Sequence, residues 1–247
     1  MNNIEQKFHD EIEVERMWVA TGQGKYAFFC MLPVSLLLVI GLWDSAPHSL
    51  LLLWFSLLTV INLIRWMIMH YYHTHKDALS ANIRRFKRII LFYAAVAGLC
   101  WMMSILWFLD PSQPANVLIS ITLIIEVVGS MLTWFCYFPA VIALSFPAAL
   151  ALVCQLFFQG GTINIAASLN LLLLTLFGAT SSVKLAEMLN YALRLNFENL
   201  ALRQETEEKS LLLETTLENM GQGISMSDKD DRLRMWNRQF THLLGDA

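Results

Sequence analysis

Six uncharged or nearly uncharged apolar runs constrain this chain more than any other feature: residues 26–43, 49–69, 89–109, 116–134, 137–157 and 162–182. Each is close to the ~20 residues that an α-helix needs to cross the hydrocarbon core of a bilayer. A backbone in lipid must satisfy its own hydrogen bonds, so the runs read as helices. Composition agrees: 15% of the 247 residues are charged, against ~25% for an average soluble domain. The expected fold class is an all-α membrane protein, a six-transmembrane-helix bundle. Runs four and five are separated by little more than residues 135–137. Together they are twice a span, so two helices with a tight turn near Pro139 are expected rather than one kinked segment.

Loop charges orient the bundle. Lys76, Arg84, Arg85, Lys87 and Arg88 fall between runs two and three, whereas segments 44–48, 110–115 and 159–161 carry no Lys or Arg. Lys184, Arg194, Arg203 and Lys209 follow the sixth run. The positive-inside rule then places both termini in the cytoplasm. Residues 1–25 lack the apolar core and small-residue cleavage site of a signal peptide. Ile4, Phe8, Ile12, Met17 and Trp18 instead recur at helical spacing among acidic residues, which predicts a short amphipathic helix at the membrane surface or against the bundle. Cys30, Cys100, Cys136 and Cys154 are expected as reduced, buried packing residues. A net charge of -3 gives no sign of nucleic-acid binding.

Polar residues inside the apolar runs are the candidate site. Glu126 sits near the middle of the fourth run, where a carboxylate costs at least ~2.5 kcal/mol unless it is neutral, paired or facing a wet cavity. Helical spacing puts Thr122, Gly129, Ser130 and Thr133 on its face. Thr59, Asn62 and Arg65 crowd one half of the second run, and Asn164, Ser168, Thr175, Gly178 and Ser182 stripe the sixth. The ligand-binding expectation is a cavity floored by Glu126, with Thr122, Ser130, Asn62, Arg65 and Asn170 as its polar lining. The competing readings are a protonated Glu126 acting as interhelical glue, and an Arg65 that snorkels to the headgroups. His70, His73 and His75 are read as interfacial anchors rather than metal ligands, and Trp43, Trp66, Trp107 and Trp134 as an aromatic belt. No catalytic residue, cofactor site or metal site is expected. A transporter is disfavoured because no pair of broken helices accompanies the single acidic residue.

Residues 183–220 contain neither Pro nor Gly and are rich in helix formers, so they predict one long helix continuing the sixth span. Leu189, Leu193, Phe197 and Leu200, then Leu213, Leu217 and Met220, form two apolar patches with a polar break, which predicts a parallel coiled coil and a homodimer. The domain organisation follows: 1–25 amphipathic segment, 26–182 membrane bundle, 183–220 signalling helix, 221–247 a small α/β unit. In the last unit, Gly221 and Gly223 break the helix, 224–227 and 232–236 read as strands around a turn at 228–231, and Asn237 is a helix N-cap.

The residues Leu217, Glu218, Asn219, Met220, Gln222, Gly223 and Ile224, then Asp228, Leu233, Trp236, Asn237 and Phe240, resemble the opening of a PAS domain of the type that follows membrane inputs in bacterial sensor histidine kinases and hybrid kinases. The resemblance implies a dimeric inner-membrane receptor relaying a signal to a cytoplasmic phosphotransfer core that uses ATP and Mg and acts on a response regulator. No phosphoacceptor-histidine, nucleotide-binding glycine or receiver motif occurs in these residues, so an N-terminal piece of a longer protein with a truncated PAS start is expected. PAS domains also precede diguanylate cyclases and phosphodiesterases, for which the bundle would be an anchor. Short outside loops leave the bilayer as the place to read a ligand, which favours a small amphiphilic or lipid-like molecule. The architecture is similar to that of quorum-sensing kinase inputs.

Overall fold

The computed structural model describes residues 3–109 and 116–245, with side chains from residue 11 onward apart from Leu244. Segment 110–115 and the side chains of Ile4 and Phe8 lie outside the described residues. The chain is α1 (Asn3–Gly41), α2 (His48–Thr74), α3 (Lys76–Ala81), α4 (Ile83–Phe108), α5 (Asn116–Trp134), α6 (Phe138–Gln159), α7 (Thr162–Glu218), β1 (Ser225–Ser227), β2 (Leu233–Trp236) and α8 (Arg238–Leu244). Six of these helices are long and apolar enough to cross a membrane. Residues 1–193 and 194–247 form two compact units, and α7 belongs to both.

The first unit is apolar on its outer surface as well as in its core. Along α5 the outward residues are Val117, Ile121, Ile125 and Leu132, and the inward ones include Thr122, Glu126 and Ser130. Two apolar clusters fill the interior. One gathers Met17, Met69, Phe86, Val127, Trp134 and Leu144, and the other Leu38, Trp54, Leu58, Trp101, Leu123 and Leu171. Their boundary crosses α2 between Leu58 and Met69 and α5 between Leu123 and Val127. That is where Asn62, Arg65 and Glu126 sit, so the helical period that alternates the apolar faces also stacks the polar residues into one layer.

The amphipathic segment is not a separate short helix. It runs unbroken into the first membrane-length helix; Gly22 and Gly24 each cost about 1 kcal/mol against Ala in a helix, and they allow close packing against α2. A Cβ at Gly24 would stand 3.1 Å from Met69 Sδ, and one at Gly22 would stand 3.3 Å from His73 Cε1. Met17 and Ala20 are buried, so this segment packs against the bundle. Glu13 pairs with Lys87, Glu15 with Lys76, and Trp18 Nε1 donates to the His73 carbonyl at 3.2 Å. The tight turn expected before Pro139 is present: Tyr137 N bonds Trp134 O at 2.8 Å and α6 begins at Phe138. Cys100 and Cys136 are buried as expected, but Cys30 and Cys154 are exposed on outward faces of α1 and α6. Their neighbours there are other outward apolar residues, which is where small apolar side chains also fit.

In the second unit the strands pair antiparallel, with Ser225 opposite Trp236, Met226 opposite Met235 and Ser227 opposite Leu233 across a bulge. Asn237 caps α8 by accepting from Phe240 N. Met226, Leu233, Met235 and Trp236 remain exposed, since two short strands offer no second layer to cover them.

Candidate functional site

Asn62 and Arg65 lie one turn apart on the inward face of α2, and Glu126, Ser130 and Trp134 step by four residues along α5. Tyr93 of α4 and Ser145 of α6 complete the layer. The Asn62 amide donates to Leu58 O at 2.9 Å, and Tyr93 Oη donates to Asn62 Oδ1 at 3.3 Å. Ser130 donates to Val127 O at 2.7 Å and its hydroxyl meets that of Ser145. These groups are satisfied within the protein.

Arg65 and Glu126 are not. Arg65 is 3% exposed and Glu126 2% exposed. The Arg65 guanidinium carbon lies 5.4 Å from the centre of the Tyr93 ring, a cation–π placement. Arg65 Nε and Nη2, Glu126 Oε2 and Trp134 Nε1 are buried without a hydrogen-bond partner. All three residues line one cavity of about 20 Å³, between α1, α2, α4, α5 and α6. A buried charge whose hydrogen-bonding groups are not all satisfied costs free energy, so this layer is expensive to hold in place.

Of the six residues expected to line the cavity, Asn62, Arg65, Glu126 and Ser130 do so. Arg65 is too deeply buried to be a snorkelling side chain. Thr122 is buried on the same face, but its hydroxyl is turned back to Leu118 O at 2.8 Å. Asn170 is exposed. It sits two residues from buried Ser168, which puts it on the opposite side of α7 from the inward stripe. Trp134 is also reassigned: it is 1% exposed and walls the cavity rather than belonging to a belt. Its spacing from Glu126 and Ser130 carried that signal. Tyr93 and Met31 carried none, since each stands in a run of apolar residues.

The three histidines each meet an aromatic ring: His70 stacks on Trp66, His75 on Tyr71, and His73 on Trp18 with 5.1 Å between centres. Among the described residues no group of three or more His, Cys, Asp or Glu side chains is placed to hold a metal ion.

A family profile for the PAS fold matches residues 217–246, the end of α7 together with the hairpin and α8. The match leaves the six-helix unit outside it. No curated protein and no solved structure matches the chain.

Proposed function

We propose that the chain is the membrane input region of a signalling receptor, in which the six-helix unit senses a small amphiphile and α7 relays its state to the PAS-fold tail. The observation that carries this reading is the buried polar layer, where Arg65 Nε and Nη2 and Glu126 Oε2 lack hydrogen-bond partners beside one cavity, inside helices whose outer surfaces are apolar. Charged groups held in this way are retained where they do something. The chain crosses the bacterial inner membrane with both termini in the cytoplasm, on the strength of the Lys and Arg distribution. It works as a homodimer: Leu200 and Leu213 on α7 are exposed in the single chain and belong to two apolar patches, one on each side of a polar break, that a parallel coiled coil would cover. Its output is a histidine kinase using ATP and Mg and acting on a response regulator, by the resemblance of the tail to PAS domains in such receptors.

The test is Glu126→Gln in the complete receptor in nanodiscs, reading autophosphorylation with and without a lipid extract of the native cell. A sensing carboxyl predicts retained expression and dimerisation with an output that is lost or locked, because signalling requires differential interaction with two states. A wild-type response would make Glu126 structural and the bundle an anchor.

A further inference from the structure

We propose that the interior cavity recognises a carboxylate, carried at the head of a single-chain amphiphile that enters sideways between α1 and α5. The proposal rests on the sensor reading for its membrane setting and adds the chemistry of the ligand and its route.

The donor inventory selects the headgroup. Arg65 Nε and Nη2 form one edge of the guanidinium plane, and both are buried and unpartnered. That edge matches the two oxygens of a carboxylate, with parallel charge-assisted hydrogen bonds. Trp134 Nε1, a donor only, is a third unpartnered N–H on the same cavity. Against these three donors stands a single unpartnered oxygen, Glu126 Oε2. The site thus lacks acceptors, and an acceptor-only group supplies them while neutralising Arg65. Glu126 takes part in its acid form and donates its O–H, because two bare carboxylates side by side would repel. Amines and ammonium groups bring more donors and a second positive charge, so the site excludes them.

Size narrows the class further. About 20 Å³ admits one or two water-sized groups. A carboxylate head fits that space, and a phosphodiester, a sugar or a trimethylammonium group does not.

The mouth follows from burial. Asn62, Arg65 and Tyr93 close the α2 and α4 side completely, whereas Ala27 and Met31 of α1 and Gly129 and Thr133 of α5 are half-buried. A Cβ at Gly129 would lie 2.9 Å from Met31 Cε, so the Met31 methyl rests where position 129 has only hydrogen. An unbranched thioether turns readily. Its rotation opens the seam, beside which Ile125, Val128 and Leu132 offer an apolar track for the ligand's chain.

The experiment uses the complete chain in phosphatidylcholine nanodiscs, titrated with decanoate, decanol, decylamine and acetate and followed by calorimetry. Decanoate should bind saturably and at least ~ten-fold more tightly than decanol, the difference that one charge-assisted hydrogen bond supplies. Decylamine should not compete. Acetate separates a free acid from a lipid-borne one: binding as tight as decanoate would overturn entry from the bilayer. Arg65→Gln should abolish decanoate binding and leave decanol partitioning unchanged, which a merely structural arginine would not produce. Should Arg65→Gln fail to fold, Arg65→Lys and the ligand series on the unaltered chain decide the matter. Equal affinity for decanoate and decanol overturns the carboxylate, as would decanoate affinity indifferent to Arg65. Absence of saturable decanoate binding beside an intact Glu126-dependent output overturns this site and leaves the sensor reading standing.

Discussion

The side-chain amide of Asn237 donates to the carbonyl of Leu217 at 2.9 Å, tying the last turn of α7 to the residue that begins α8. The same amide donates to Gln222 O at 2.8 Å, and its oxygen accepts from Ile224 N at 2.8 Å and Phe240 N at 3.0 Å. The final carbonyls of a helix have no partner within it, and the first amides of a helix likewise. One buried side chain serves both ends. Asn237→Ala should therefore cost more than the ~1 kcal/mol of an ordinary N-cap, with faster amide exchange at Ile224 and Phe240. Asn237→Asp keeps the acceptor and loses both donor bonds, so it should spare Phe240 and free the end of α7. Equal exchange in the two variants would refute the division of roles.

The hairpin turn depends on pH through Asp228. Its carboxylate accepts from Arg232 N at 3.0 Å, Asp230 N at 2.9 Å and Arg234 Nε at 2.9 Å. The Arg232 amide is the largest of the causes that hold its pKa below the ordinary 3.8; desolvation comes next and opposes it, and the Asp230 amide and Arg234 add smaller lowering effects. The folded value is depressed, so the stabilisation is complete above the ordinary value and is lost as pH falls through the lowered one. Amide protection at Asp230 and Arg232 should be constant at neutral pH and collapse in that acid range. Asp228→Asn should remove the pH dependence.

Gly98 sets the approach of α4 to α6. A Cβ there would lie 2.5 Å from Ala143 O and 2.6 Å from Leu144 O, and backbone oxygens cannot step aside as a side chain can. Gly98→Ala should lower stability by ~1–3 kcal/mol, as overpacking does in filled cores, and reduce the midpoint of thermal unfolding in nanodiscs. Gly129→Ala meets only the mobile end of Met31 and should be milder.

Orientation is checked with reporter fusions at Gly160, between α6 and α7, and at Ala78 and Glu205, in α3 and the far part of α7. The Lys and Arg distribution predicts an outside signal at Gly160 and cytoplasmic signals at the other two. A cytoplasmic signal at Gly160 would reverse the arrangement.

Much of this was legible in the sequence because hydrophobic length and helical period are local quantities. The six membrane-length helices, the turn before Pro139, the long α7 and the strand–turn–strand–cap order of the tail all follow from residue spacing alone. Glu126 and Ser130 were readable for the same reason. What spacing could not supply was the rotation of one helix against another. Asn170 was placed inside although its own helix carries a different inward stripe, and Trp134 was placed at a membrane edge although it follows Glu126 and Ser130 at four-residue steps. The continuity of α1 is not legible because residues 1–25 are polar and acidic where the next run is apolar, and only the packing of Gly22 and Gly24 against His73 and Met69 joins the two.

Helix α7 buries only Ser168, Leu171 and Ser182, and Leu169, Leu172, Leu173, Leu176 and Phe177 are exposed. Within the first unit it buries few side chains, and its closest seat is Gly178, where the Met131 thioether occupies the space a Cβ would take. A helix with so few buried side chains can shift against its neighbours while exposing little of the core. A ligand that touches this helix differently in two positions would select between them by that difference alone.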